Sequence, residues 1–358
     1  LYREDRALLE HLTTSLWPDR EAPIEVRAEL KMGWTSNALL GSPLDPSAAS
    51  GDFASAVGEA RVWFRVGSGS LGVFRPFAEI EVKALGLVSE ATRDLSYTTM
   101  GVRPGIAWSL GSVLLRTAYR YDAVLLAGGD AYESGPLWYY QGHRGEIELE
   151  AARHVTVFGG AGRRKFRAMG RTRWEADLGV GGGFAVGSRT FLMGALSGRV
   201  YRAENPAYHL WGGTLLGSAQ VRLYRQWSLR AVLSWALDAY PDDLSKAVFS
   251  SEDNRLDHQV KARLELWSPP LGGVRFGVAY APSRRESSAR QYVFTDHRGL
   301  ALVTWGWRTD PWQPAARASG TPVGMDYGLT DEGSGLGERL QDLLRQDEET
   351  RRGSSCLD

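Results

Sequence analysis

The stretch Gly299-Leu-Ala-Leu-Val-Thr-Trp-Gly-Trp307 decides the fold, because two kinds of position alternate strictly along it. Ala301, Val303, Trp305 and Trp307 occupy every second position, and the run ends on an aromatic residue. Successive side chains of a β-strand point to opposite faces, so this spacing predicts a strand with one continuous apolar face. The same alternation runs back through most of the chain.

The repeated segments predict an all-β protein: a closed antiparallel up-and-down transmembrane barrel of about fourteen strands. The first segment runs from Ile24 to Trp34, and the others cover approximately 57–67, 73–87, 96–109, 112–124, 137–151, 154–164, 171–185, 189–202, 208–223, 226–238, 255–267, 273–281 and 292–307. Their connections are alternately short and long, as expected when both termini of a barrel face the periplasm. No stretch offers the roughly 18 apolar residues of a membrane-spanning helix, which excludes that class. We therefore expect the cell outer membrane of a Gram-negative bacterium.

The chain outside the barrel, which we assign to residues 23–307, divides into two segments. Residues 1–22 place four leucines at helical spacing before Pro18 and predict a short periplasmic helical segment. Residues 308–358 predict a periplasmic tail with a short amphipathic helix, and the tail is expected to be mobile, to plug the lumen or to dock on a partner through the apolar face of that helix. That face comprises Leu336, Leu340, Leu343 and Leu344.

Outward-facing aromatic residues supply a second indication of a membrane, because Trp and Tyr prefer its two interfaces. If the odd-numbered strands run outward, one group falls near the outer rim: Trp34, Tyr121, Tyr139, Trp174, Trp211, Trp235 and Tyr280. The other falls near the inner rim: Phe64, Phe74, Trp108, Phe184, Trp227, Trp305 and Trp307. We interpret Val303, Trp305 and Trp307 as the signal that closes the barrel.

The opposite face of the same strands is predicted to line the lumen, and it carries charges of both signs. Two interpretations stay open, a solvated wall with internal ion pairs, which we favour, and a selectivity lining. The whole chain has 42 basic and 42 acidic residues, which argues against nucleic acid as a partner. The predicted lumen-lining residues are Glu25, Arg27, Glu29, Lys31, Glu59, Arg61, Arg65, Glu79, Glu81, Lys83, Arg103, Arg116, Arg120, Arg144, Glu146, Glu148, Arg173, Glu175, Asp177, Lys261, Arg263, Glu265 and Arg275.

The sequence offers no recognisable catalytic or cofactor site. The glycine run 179–183 does not open a helix after a strand, as a phosphate-binding loop would, and is expected to serve close strand packing. Asp257-His258 and Asp296-His297 look like acid–base pairs, but adjacent strand residues face opposite sides of a wall. No Ser–His–acid arrangement or metal-ligand spacing is present, so we expect neither an enzyme nor a metal or cofactor.

Two stretches resemble a known group of barrels. Leu30-Lys-Met-Gly-Trp-Thr-Ser-Asn37 resembles the opening strand, and Tyr292-Val-Phe-Thr-Asp-His-Arg298 the closing strand, of the barrels that follow tetratricopeptide repeats in Gram-negative bacteria. The surface lipoprotein assembly modifiers belong to this group, and their barrels are also fourteen-stranded. The resemblance covers Ile24 to Trp307 without the repeat domain, and it implies an outer-membrane barrel.

Three functions stay open at this point. The tail favours an export, translocation or scaffold component of an envelope-spanning assembly, such as polysaccharide, surface lipoprotein or surface-motility machinery. The alternative is a passive diffusion porin for small solutes, and an interfacial hydrolase is the least favoured. The expected partners are outer-membrane lipid, the barrel assembly machinery and, through the tail, periplasmic or outer-membrane proteins.

Overall fold

The computed structural model describes residues 24–37, 54–67, 73–89, 96–110, 113–126, 137–151, 155–167, 171–187, 189–241, 254–288 and 293–308. These residues form one closed sheet in which each strand pairs antiparallel with its neighbours in sequence, and the first strand pairs with the last. The prediction of a closed fourteen-stranded up-and-down barrel is therefore confirmed. The predicted helical segment at 1–22 and the tail helix with its four leucines lie outside the described residues.

The strands are β1 (Ile24–Thr35), β2 (Ser55–Gly67), β3 (Phe74–Leu87), β4 (Tyr97–Leu110), β5 (Val113–Leu126), β6 (Leu137–Ala151), β7 (Val155–Phe166), β8 (Arg173–Val186), β9 (Thr190–Ala203), β10 (Leu210–Arg222), β11 (Ser228–Tyr240), β12 (Arg255–Trp267), β13 (Val274–Ser287) and β14 (Phe294–Arg308). Two short 3₁₀ helices, Pro206–Tyr208 and Tyr224–Gln226, lie in connections. Among the described residues, no helix has the length and apolar character needed to cross a membrane.

The two rims of the barrel differ in the length of their connections. We call the rim at which β1 ends and β14 begins the distal rim, and the rim with Ile24 and Arg308 the proximal rim. Proximal connections are short, and the one between β8 and β9 contains Gly187 with a φ of 64°, a conformation that suits glycine. Distal connections include the two longest, after Thr35 and after Tyr240.

Burial separates the two faces of the wall. Met32, Trp34 and Leu178 lie on the convex outer face and are 60%, 50% and 65% exposed. Charged residues on the concave inner face are buried or half-buried, as Glu79 shows with 4% exposure. A closed barrel satisfies all its ladder hydrogen bonds internally, so an apolar outer face suits it to lipid. The architecture is that of an outer-membrane β-barrel.

Most outward aromatic residues lie near the rims, as predicted, but Tyr280 lies at the middle of β13 because that strand continues to Ser287, and Tyr139 does not face outward. Phe74 and Trp108 pack edge to face near the proximal rim, with 6.3 Å between ring centroids. Tyr139 was predicted to face lipid, but it is 3% exposed and packs against Tyr140 and Phe166. The reason is a β-bulge, since Val124 pairs with Tyr140 whereas Leu125 pairs with Trp138. Trp138 takes the outward position and is 51% exposed.

β13 is longer than its sequence pattern predicts. The prediction ends this strand at residue 281 and begins a loop at Pro282, because proline has no N–H to give to a ladder. In the structure Pro282 pairs with His297 of β14, and the strand continues to Ser287. The ladder to β12 is interrupted beside Pro282 and resumes in the same register at Ser283. One interrupted ladder is therefore tolerated within a strand that stays paired on its other side.

Candidate functional site: the charged inner wall

The inner wall carries a network of ion pairs that begins on the first three strands. Strict alternation puts every second residue of β1, β2 and β3 on this face. Lys31 Nζ donates a hydrogen bond of 2.6 Å to Glu59 Oε1 and lies 3.2 Å from Glu29. Lys83 approaches Glu59 from the other side at 3.3 Å. Glu59 is therefore held between two cations on neighbouring strands.

Arg103 extends this network across β5. Its Nη1 donates to Glu79 on β3 at 3.1 Å, and its Nε donates to Glu146 on β6 at 2.7 Å. On β6, Arg144 approaches Glu146 and pairs with Asp177 of β8. The long arginine side chain thus lies along the wall and connects strands that share no ladder.

A second cluster lies on the same wall near the distal rim. Arg164 of β7 lies 3.0 Å from Glu175 of β8 and 3.7 Å from Asp122 of β5. Its guanidinium also stacks over the ring of Tyr140, 4.5 Å from the centroid. Buried charges are stable only where such partners surround them, and this cluster meets that condition.

The wall formed by β9 to β13 holds separate clusters. Arg199 Nη2 donates to both oxygens of Asp238 at 2.7 Å. Asp257 is 1% exposed and accepts hydrogen bonds of 2.6 Å from both Arg255 and Arg285. Cations outnumber anions on the inner face of these five strands. The cations are Arg199, Arg222, Arg230, Arg255, Lys261, Arg263, Arg275 and Arg285, and the anions are Asp238, Asp257 and Glu265.

The partners of each ion pair are close neighbours around the barrel. They lie on the same strand, on adjacent strands, or on strands with one strand between them. Arg27 and Glu25 on β1, 2.6 Å apart, show the first kind. Arg61 and Glu81, 2.9 Å apart on β2 and β3, show the second kind. Arg199 and Asp238 show the third. The charged side chains are held against the wall in these pairs.

The predicted lumen-lining residues all fall on this inner face by their register. Most join the pairs above or equivalent ones: Arg65 with Glu79, Arg116 with Glu148, Arg120 with Glu146, Arg173 with Glu175, and Arg263 with Glu265. Arg275 instead donates to the hydroxyl of Ser228 at 2.9 Å and lies over the ring of Trp267. Lys261 is half-buried on β12, opposite Ser234.

Several inner charges were missed from the sequence. Arg164 and Asp238 stand at the last residue of their predicted segments, where the register could not be trusted. The sequence pattern places Arg285 in a loop, because the predicted strand ends at residue 281, before Pro282. Arg199 lies within the predicted segment 189–202, and the alternation of that segment was sufficient to find it.

The glycine run 179–183 lies on β8 and not in a phosphate-binding loop. Gly179 and Gly183 face inward, and the rings of Phe158 and Phe191 from the adjacent strands lie over them. A Cβ added to Gly183 would stand 2.6 Å from the end of the Phe191 ring, so a larger residue there would require that ring to move. These glycines serve strand packing, as the sequence predicts.

The two motifs that carry the family resemblance meet at the seam between β1 and β14. Asp296 is 1% exposed and accepts a hydrogen bond from Thr35 Oγ1 at 2.7 Å and from the Asn37 backbone N–H at 3.1 Å. Ser36 Oγ accepts from the His297 backbone N–H at 2.8 Å, and Arg298 Nε donates to Asp296 at 2.6 Å. We call this group, residues 35–37 and 296–298, the seam latch.

The seam also depends on a close approach of backbones. A Cβ added to Gly33 would overlap the carbonyl of Gly299, so only glycine fits there without a shift of the seam. The register across the seam runs without a break from Glu25 opposite Arg308 to Thr35 opposite Arg298. The opening and closing motifs therefore complete the barrel wall.

The two Asp–His pairs divide between the faces, as the alternation predicts. Asp257 and Asp296 are buried on the inner side, whereas His258 and His297 are exposed on the outer side. His297 Nδ1 lies 2.7 Å from the hydroxyl of Tyr280, and the two rings are stacked. Within the described residues, no three His, Cys, Asp or Glu side chains come together as metal ligands.

Comparison with known proteins finds similarity in fold only. No protein-family model matches the chain, and no curated protein matches its sequence. OmpT, an outer membrane protein of Vibrio cholerae, aligns with a TM-score of 0.45 and 8% identity over 79% of this chain and 97% of its own. An anion-selective porin from Comamonas acidovorans aligns with a TM-score of 0.41 and 9% identity, over 80% of this chain and 99% of its own. OccK9 of Pseudomonas aeruginosa aligns with a TM-score of 0.36 and 12% identity, over 79% and 98%. At these values the likeness carries no argument about function, which rests on the wall geometry.

Proposed function

We propose that this protein is a passive diffusion channel for small hydrophilic solutes in the Gram-negative outer membrane, with both termini in the periplasm and no catalytic step. The observation that carries the proposal is the direction of the inner ion pairs. Because their partners lie on the same strand or at most two strands apart, these pairs fold along the wall instead of bridging opposite sides. A path through the centre of the lumen is compatible with that arrangement.

The chemistry of the inner face supports a water-filled lumen. An ionised group buried without water or a partner costs several kcal/mol, so a face with this many charges needs both. Barrels of about eight strands are filled by side chains, whereas those of 16–18 strands leave an aqueous channel, and fourteen strands lie closer to the second size. The shorter proximal connections support periplasmic termini, as in other outer-membrane barrels.

The excess of cations on β9 to β13 supports a preference for anions. Lys261 and Arg263 lie at mid-strand on β12, where they border the path of a solute. A wall of one sign raises the local concentration of the opposite ions. We therefore expect the selectivity lining and the solvated wall to coexist, the first on β9 to β13 and the second on β1 to β8.

The export or scaffold hypothesis receives less support, because it rests on the tail, which lies outside the described residues. Docking of a partner on Leu336, Leu340, Leu343 and Leu344 and insertion by the barrel assembly machinery stay predictions. Kinship with the surface lipoprotein assembly modifiers stays a hypothesis as well. The motifs that suggested it build the seam latch, which is a structural role.

Single-channel recording tests the proposal. The purified full chain is inserted into planar lipid bilayers in symmetric KCl, in parallel with a variant that lacks residues 309–358. We expect steady ohmic conductance from both proteins. Conductance from the shortened protein alone would favour a gated export barrel instead. An absence of conductance from both, with insertion verified, would refute the channel.

A further inference from the structure

A row of outward-facing residues crosses five strands below the distal rim. The register pairs Tyr121 of β5 with His143 of β6, His143 with Arg163 of β7, Arg163 with Trp174 of β8, and Trp174 with Arg202 of β9. The row therefore follows a single line of ladder positions around the outside of the barrel. It joins three aromatic rings to two guanidinium groups.

The cations of this row are presented to the surroundings. Arg163 has a side chain that is 55% exposed, and Glu204, which pairs with it at 3.5 Å, is 56% exposed. Lys165, two residues nearer the distal rim on β7, and Arg202 are also exposed. Trp174 stands between the two arginine-bearing strands and is 63% exposed. We call Arg163, Lys165, Arg202 and Trp174 the outer basic patch.

Outward-facing cations are rare elsewhere on the described wall. Arg284 of β13 also faces outward, but Glu286 on the same strand pairs with it at 2.7 Å. The outer basic patch instead holds three cations against the single carboxylate of Glu204. A lipid-facing Arg or Lys is strongly destabilising at the bilayer midplane and much less so at the interface. Cations at this height are therefore placed where anionic groups of lipid headgroups lie.

The surface below the patch is apolar. Leu178 and Val180 follow Trp174 on the outer face of β8 and are 65% and 43% exposed. Trp and Tyr rings settle at the boundary between headgroups and acyl chains, so Trp174 marks that boundary. At the β5 end of the same row, Tyr121 packs against His143 with 5.2 Å between ring centroids. Lys165 lies nearest the rim, the row of arginines and aromatic rings comes next, and the aliphatic side chains lie below it, which matches the order of a phosphorylated lipid.

We propose that the outer basic patch binds the phosphate of a lipid headgroup in the outer leaflet, with the acyl chains of that lipid packed on Leu178 and Val180. Arg163 and Arg202 offer forked donors suited to phosphate oxygens, and Lys165 supplies a point charge nearer the rim. The inference rests on the proposed function in one respect, since periplasmic termini place the distal rim at the outer leaflet.

Native mass spectrometry of the full chain in detergent micelles tests the site. The probe is bisphosphorylated lipid A, with a dephosphorylated lipid A and inorganic phosphate as separate arms. The triple variant Arg163→Gln, Lys165→Gln and Arg202→Gln is compared with a matched double variant on β13, Arg284→Gln and Glu286→Gln. We expect the triple variant to bind lipid A at least tenfold more weakly, and the β13 variant to bind like the unmodified protein.

Each remaining outcome decides the proposal. Binding by the triple variant within twofold of the unmodified protein overturns it, as does an equal loss in the β13 variant. The assignment to a lipid phosphate is also overturned if dephosphorylated lipid A binds as tightly as bisphosphorylated lipid A, or if inorganic phosphate alone saturates the site. Migration of the triple variant as a compact barrel in an unheated detergent gel shows that it has folded. If it has not, a smaller loss of lipid A binding in the single Lys165→Gln variant supports the proposal, and an unchanged affinity overturns it. Because binding in micelles does not depend on conductance or orientation, failure of the channel is distinguishable from failure of this site.

Discussion

Removal of the Asp296 carboxylate tests the seam latch. Asp296→Ala leaves three donors of the seam, Thr35 Oγ1, Ser36 Oγ and the Asn37 backbone N–H, without the acceptor to which they donate at 2.7, 3.2 and 3.1 Å. Arg298 adds little, because its side chain is 35% exposed and water screens its charge. Each buried hydrogen bond to a charged group contributes about 1.5–3 kcal/mol, and three bonds that share one acceptor oxygen contribute well below their sum. We expect the free energy of unfolding to fall by about 3–5 kcal/mol.

The measurement is urea unfolding of the full chain in lipid vesicles, followed by Trp fluorescence. Glu286→Ala is the matched control, since that carboxylate is paired with Arg284 but is 61% exposed, and we expect it to cost under about 1 kcal/mol. Asp296→Asn retains one acceptor oxygen and is expected to lose about half as much as Asp296→Ala. If Asp296→Ala unfolds within about 1 kcal/mol of the control, the latch does not hold the seam and the reasoning is refuted.

Three further predictions concern the seam and the lumen. Gly33→Ala is expected to lower the yield of folded barrel in a refolding assay, because its Cβ would overlap the Gly299 carbonyl; a normal yield would mean that the seam can shift at little cost. In a background with Cys356→Ser, Ser234→Cys is expected to react with a charged thiol reagent and reduce conductance, whereas the neighbouring Leu233→Cys, which is outward and 56% exposed, is expected to leave it unchanged. Equal effects at both positions would contradict the assignment of faces. Lys261→Glu is expected to shift the reversal potential in a KCl gradient towards cation preference, and Lys165→Glu on the outer face is expected to leave the potential in place. A shift of the same size in both variants would show that the inner cations do not set selectivity.

The barrel was predictable because its dominant signal is local. Side chains alternate with a period of two on every strand, and the apolar face must meet lipid, so segments such as 255–267 were found with their correct bounds. Two predictions, the outward face of Tyr139 and the end of β13, are wrong because the local sequence does not reveal where the strand breaks or keeps its period of two. The bulge before Tyr140 shifts the alternation by one residue, and Pro282 looks like an end of strand although its partner on β14 keeps it in the sheet.

The partners of the charged residues were much less predictable than their face. Alternation places Arg103 and Glu146 on the inner wall, but their contact also requires that a long arginine of β4 reaches past β5 to β6. Such a contact depends on the register of three strands together. The seam latch was likewise hidden, since nothing in either motif states that residues 35–37 and 296–298 meet. Only ring closure brings them together.

The span of the seam latch has a consequence for biogenesis. The hydroxyl of Thr35 and the carboxylate of Asp296 are separated by 261 positions along the chain, so their contact has almost the greatest sequence separation that this barrel allows. Long-range pairing is slow because a large loop must close before any contact stabilises it. The barrel can close only after β14 has joined the sheet. Until then, both edge strands present unpaired backbone groups that other strands can pair with. Because the seam latch stabilises the pairing of β1 with β14 over other pairings of these two edge strands, it favours correct closure of the folding barrel.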